Sequence, residues 1–177
     1  GGGSTEFCVS TKGRLRIAQS VKVGAVRLTD AFLPNGDADE SSVRRLRAHV
    51  SSVIAPLAHE IRELGYSRAV LSSGTSETIA RLVANERGGR LPQSMNGFSF
   101  TKGEFASVMR KILGSQNSRA RQELPGMDGK RSDIIVAGGL ILDEVTKALR
   151  IDSYEFSEYA LREGVLVDAA QKKGLLK

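Results

Sequence analysis

Two stretches of apolar–polar alternation, residues 5–11 and 15–23, stand side by side with Lys12-Gly13 in the short gap between them. Side chains of a strand alternate between its two faces, so this pattern predicts an antiparallel β-hairpin. Beyond the hairpin, apolar spacing of three and four dominates. Val43, Leu46, Val50, Ile54, Leu57, Ile61 and Leu64 form one stripe, which predicts a helix from a cap at Asp39 or Ser41 to Gly65. Pro56 inside it predicts a kink or a brief break. Further helices are predicted over 25–32, 76–85, 101–113, 118–123 and 130–149, with an amphipathic one over 160–172 closing the chain, and short strands over 66–71 and 151–156. A hairpin feeding alternating helices and strands describes an α/β layered domain, a mixed sheet with helices on both faces. The 177 residues suit a single domain, 1–177, with a real core.

The net charge of +6, from 26 basic and 20 acidic residues, favours a polyanionic partner. Aromatic residues make up only 5% and tryptophan is absent, which argues against nucleic-acid bases stacked on aromatic platforms and so against nucleic acid. Phosphate-rich small molecules and inorganic chains fit the charge. No uninterrupted apolar run approaches the ~20 residues of a membrane helix, so no membrane partner is expected. No secretory leader pattern precedes the first predicted strand. The single cysteine excludes an internal disulfide framework and suits a reducing, cytoplasmic location. Cys8, in an apparent strand, is expected to be buried and inert. His49 and His59 share a helix without cysteine companions, so solvated histidines are expected there and not a zinc site.

Two segments carry chemistry. Gly1-Gly2-Gly3-Ser4-Thr5-Glu6 brings glycine N–H groups, two hydroxyls and a carboxylate into one turn ahead of the first strand. Without Cβ atoms, such amides can converge on an anion. The same composition is that of a cloning linker, and the opening residues alone do not separate the two. Later, a β-type run, the turn Ser72-Ser73-Gly74-Thr75 and a helix start stand in sequence. A helix start presents unpaired N–H groups to an anion, and plain capping by Ser or Thr explains the same residues. Gly138-Gly139 inside a predicted helix costs about 1 kcal/mol per glycine. Something must approach that backbone, either a neighbouring helix or a bound phosphate.

Five segments in register resemble one family, the exopolyphosphatase and guanosine pentaphosphate phosphohydrolase family (Ppx/GppA) of the actin-like, ribonuclease H-like superfamily. GGGSTEF resembles its second phosphate loop, written DxGGGSTE; SVKVGAVRLTDAFLP resembles the strand and helix after it, and LSSGTSETIA its Gly-Thr turn. LPGMDGKRSDIIVAGGLILDEVTKAL resembles its Pro-Gly turn and long glycine-containing helix, and YALREGVLVD its closing helix. The glycines are then part of the family sequence. The aspartate that precedes this loop in the family is absent, as are its N-terminal lobe and that lobe's catalytic glutamate. The resemblance therefore implies a C-terminal lobe alone, inactive when isolated, from a short-form parent lacking the HD-type domain of longer members.

The resemblance implies release of terminal phosphate from inorganic polyphosphate by Mg²⁺-assisted attack of water, with guanosine pentaphosphate as the alternative substrate. Gly1, Gly2, Gly3, Ser4, Thr5, Gly74 and Thr75 would bind phosphate. Ser4 and Glu6 would be catalytic, and Glu6 would hold Mg²⁺ or orient the water. A basic track for a long polyanion could draw on Lys22, Arg27, Arg81, Arg90 and Lys102. The missing N-terminal lobe would be the lobe's natural partner, and an exposed apolar face would favour a homodimer. A phosphate- or nucleotide-binding module without catalysis is the other reading, with a nucleotide-dependent kinase or ATPase of the same superfamily ranked below it.

Overall fold

A computed structural model describes residues 1–34, 36, 38–88 and 91–175. The chain begins with the expected hairpin, β1 (Thr5–Thr11) and β2 (Arg14–Val21), antiparallel with a register shift after Val9. Lys12 and Gly13 both take positive φ, 49° and 74°, the backbone a two-residue turn needs to follow the strand twist. Then come α1 (Ala25–Phe32) and α2 (Glu40–Leu64). Asp39 caps α2 by accepting from the Ser41 and Ser42 N–H groups, Gly65 ends it at φ 75°, and α2 runs unbroken through Pro56. Leu46, Val50, Ile54, Leu57 and Ile61 are buried along it.

Strand β3 (Val70–Leu71), α3 (Gly74–Glu86), β4 (Ser99–Thr101), α4 (Lys102–Gly114) and α5 (Ser118–Gln122) follow. After a 3₁₀ turn at Gly129–Arg131 come α6 (Ile135–Leu149), β5 (Ser153–Phe156) and α7 (Leu161–Lys172). Strand β5 is central in a mixed sheet, parallel to β3 and antiparallel to β4. The hairpin does not join it and stands as a sheet of its own. β3 is shorter than the sequence suggests, and Tyr66 ahead of it instead ties to the end of α6, its hydroxyl donating to the Leu149 carbonyl at 2.7 Å. β5 starts late because Ile151 N–H still caps α6, bonded to the Thr146 carbonyl, with Arg150 left-handed at φ 59°.

Helix α6 is the hub of the core, buried from Ile135 to Leu142 and again at Val145, Thr146 and Leu149. It packs against α1, α2, α3 and α4. Its two glycines are explained by those neighbours. A Cβ on Gly138 would meet Thr75 and Ala25, and one on Gly139 would meet Met109. Helix packing, not a bound phosphate, fills the space. Across the α2–α6 seam, Arg47 pairs with Asp143 and with Glu144.

Three expectations are corrected. Cys8 is exposed, not buried. Phe7 and Val9 take the inner, half-buried face of β1, and the strand's period of two puts Cys8 outside with Glu6. His59 is solvated, but His49 is half-buried beside Phe32, ring centroids 5.3 Å apart. Helix α7 buries no residue: Leu161, Val165, Leu166 and Val167 are all exposed, at 83%, 57%, 66% and 47%. Its apolar residues lie around the helix instead of along one stripe. Asn35 and Asp37, between the first two predicted helices, and Arg90 of the predicted basic track lie outside the described residues.

Candidate phosphate-binding site

The opening glycines are held by α1. Gly1 carbonyl accepts from Ala25 N–H, Gly2 carbonyl from Arg27 N–H, and Gly3 carbonyl from Arg27 Nε, each at 3.0 Å. Gly24 makes this approach feasible, since a Cβ there would lie 2.4–2.5 Å from Gly2 O, Gly3 C and Ser4 N. In a trans peptide the N–H points opposite to the preceding C=O. With all three carbonyls turned to α1, the Gly2, Gly3 and Ser4 amides are directed away from it. They make no hydrogen bond among the described residues. Successive unbonded amides on one side of a loop form an anion-binding concavity.

Ser4 and Glu6 act as one unit here. Ser4 Oγ donates to Glu6 Oε1 at 2.6 Å, and Ser20 Oγ to the same oxygen at 3.0 Å. Ser20 faces Glu6 directly across the hairpin. The Ser4 hydroxyl bond, with help from Ser20, lowers the Glu6 carboxyl below its ordinary value, so an exposed carboxylate stays charged beside the loop. Thr5 contributes differently from what its position suggests: its hydroxyl donates to the Val23 carbonyl at 2.6 Å and braces the loop against the end of β2.

At the second turn, α3 starts at Gly74, two residues earlier than predicted. Ser73 holds φ 108° and ψ 161° and makes no side-chain cap bond, which removes plain capping as the explanation of this serine. That backbone region is nearly glycine-only and costs a serine on the order of 1–3 kcal/mol. The Arg131 guanidinium lies over Gly74, where a Cβ would fall 1.9 Å from Nη2. Thr75 and Ala25 both flank Gly138, so α6 brings the second turn beside the start of α1, and α1 holds the glycine loop. The two predicted segments thus share one neighbourhood.

Other predicted cations are spread out. Arg81 is paired with Glu77 at 2.8 Å and Lys102 with Asp152 at 2.5 Å. Lys22 is exposed. Arg27, by contrast, lines an open groove with Gly2, Gly3, Val26, Asp30 and Ala31. Sequence reasoning did not single out Gly24, Ser20 or Arg131. The hairpin register could have found Ser20; the other two depend on contacts between distant segments. Among the described residues no cluster of three acids, histidines or cysteines could hold a metal. Glu6 offers one carboxylate with two hydroxyl oxygens beside it, which suits Mg²⁺, an ion usually held by one or two carboxylates with substrate oxygens and water.

Comparison with known proteins shows the family. The family model for the Ppx/GppA phosphatase family matches residues 1–173. The chain belongs to the Ppx/GppA phosphatase family. The match starts at residue 1, so the opening glycines are family sequence. Exopolyphosphatase 1 of Mycobacterium tuberculosis is 32% identical over 171 residues, 94% of this chain and 48% of that protein. Exopolyphosphatase 1 of Mycobacterium leprae is 28% identical over 171 residues, 94% of this chain and 49% of that protein. The chain thus spans about half the length of these relatives. Among solved structures, the Aquifex aeolicus Ppx/GppA family member superposes with a TM-score of 0.81 at 26% identity, covering 98% of this chain and 55% of that one. An exopolyphosphatase from Cytophaga hutchinsonii shares the fold, with a TM-score of 0.85 at 24% identity over 99% of this chain and 56% of that one. The Ppx/GppA fold is actin-like and ribonuclease H-like, as the sequence resemblance implies.

Proposed function

We propose that this chain is the phosphate-gripping lobe of an exopolyphosphatase, a hydrolase that releases terminal phosphate from inorganic polyphosphate. The observation that carries the reading is the glycine loop: three carbonyls bound by α1, unbonded amides on the opposite side, and an ionised Glu6 beside them. Hydrolysis of a phosphoanhydride asks a protein mainly for positioning and charge neutralisation. The Gly2, Gly3 and Ser4 amides would hold the terminal phosphoryl oxygens, with Gly74 and Thr75 on the neighbouring turn. The depressed Glu6 carboxyl is a weak base, which favours it as a cation-holding or water-orienting group over one that abstracts a proton. Mg²⁺ would be held by Glu6 with substrate oxygens and water, and would neutralise charge on the transferred group.

The relatives' names favour polyphosphate over guanosine pentaphosphate as the substrate. Because the chain spans about half their length, turnover belongs to a longer parent, and the isolated chain is expected to be inert. The exposed apolar residues of α7 suit contact with the rest of that parent or, failing it, with a second copy. A free, exposed cysteine suits a reducing cytoplasm.

The test is phosphate release by the parent protein from long-chain polyphosphate and from guanosine pentaphosphate, with Mg²⁺. Polyphosphate turnover that Glu6→Gln reduces by about 100-fold or more supports the reading. A parent inert on polyphosphate, or one indifferent to Glu6→Gln, sinks it.

A further inference from the structure

Arg27 is joined to the glycine loop twice. Its backbone N–H binds the Gly2 carbonyl and its Nε the Gly3 carbonyl, both at 3.0 Å. Its side chain is otherwise uncommitted. Asp30, one helical turn on and lining the same groove, is not bonded to it, and the terminal guanidinium nitrogens have no hydrogen bond or ion pair among the described residues. Here one edge of the planar guanidinium is spent on a backbone carbonyl, and the charged remainder is left in the groove beside Gly2 and Gly3.

We propose that Arg27 is the positioning residue of the phosphate loop: it turns the Gly3 carbonyl toward α1, so that the Ser4 amide faces outward with those of Gly2 and Gly3, and it lends positive charge to the polyphosphate held there. The proposal rests on the polyphosphate reading of the loop. Lysine is not equivalent, because its rotatable ammonium lacks the planar fork that fixes the Gly3 carbonyl with one edge and aims the other donors into the groove.

The probe is sodium tripolyphosphate, titrated into this chain and followed by calorimetry and by the amide resonances of Gly3 and Ser4. The wild-type chain is expected to bind with both amides shifting. Arg27→Ala and Arg27→Lys are each expected to weaken binding about 10-fold or more, and to move the Gly3 and Ser4 amides already in the ligand-free state, while the melting temperature stays close to wild type. An Arg27→Lys chain that binds like wild type overturns positioning, because charge alone then suffices. An Arg27→Ala chain that binds within about twofold of wild type overturns the proposal and leaves the loop's phosphate reading standing. A wild-type chain whose Gly3 and Ser4 amides ignore tripolyphosphate overturns both.

Discussion

Gly138 of α6 and Thr75 of α3 are packed so closely that a Cβ on the glycine would lie 2.6 Å from Thr75 Cγ2 and 3.0 Å from Oγ1. The same Cβ would lie 3.4 Å from Ala25 at the start of α1. This one missing methyl group lets the second turn, the core helix and the helix that holds the glycine loop meet.

Gly138→Ala should therefore destabilise the protein by about 1–3 kcal/mol, through overpacking of a well-filled core. Thr75→Ala removes both clashing atoms, so the double variant should recover part of that loss, a coupling of about 1 kcal/mol in a denaturation cycle. Strict additivity would mean that the two residues do not share this space. Gly139→Ala should cost less, since its Cβ would meet the Met109 thioether, a flexible side chain that can swing away.

Gly24→Ala should be worse for binding than for folding. The added Cβ would meet the loop backbone at 2.4–2.5 Å, and backbone, unlike the end of a side chain, cannot step aside without moving the loop. Tripolyphosphate affinity should fall about 10-fold or more while the far-ultraviolet circular dichroism is retained. Unchanged affinity would show that the loop tolerates displacement from α1.

Glu104 supports the start of α4. Its carboxylate accepts from Thr101 N–H at 2.8 Å while the Thr101 hydroxyl accepts from Glu104 N–H, and Arg87 grips it at 2.7 Å. The Arg87 guanidinium, aided by the Thr101 N–H, holds its carboxyl down at about 2, against 4.5 ordinarily. A depressed carboxylate stabilises the fold fully above its unfolded value, and that stability is lost as pH falls through its folded one. Glu104→Gln should thus be less stable than wild type by about 1 kcal/mol at pH 7. The gap should close between pH 4.5 and about 2, as read by chemical denaturation. A gap that persists to the acid end would assign the effect to packing.

The apolar residues of α7 predict concentration-dependent association of the isolated chain. Leu161→Ser with Leu166→Ser should leave the melting temperature nearly unchanged, because both side chains are exposed, yet shift the sedimentation profile toward monomer. A wild-type chain that stays monomeric at high concentration would remove α7 as a sticky face.

Periodicity carried the element order. The stripe from Val43 to Leu64 became α2, the alternation around Lys12-Gly13 became the hairpin, and the glycine-rich first turn and the Ser/Thr-rich second were visible as composition. These features are local, set by how side chains repeat along a strand or a helix. The exposure of Cys8 was local too, since Phe7 and Val9 fix the parity of β1. The two-sheet topology was not: whether the hairpin joins β3, β5 and β4 depends on pairings between residues far apart in the chain.

The same division runs through the site. Sequence alone marked a candidate turn, because glycine amides without Cβ atoms and hydroxyls in one short run can converge on an anion. Tertiary structure decided which way that turn faces. The orientation of a peptide plane is set by what its carbonyl binds, and here the binders are Ala25 and Arg27, more than twenty residues downstream and brought to the loop by the missing Cβ of Gly24.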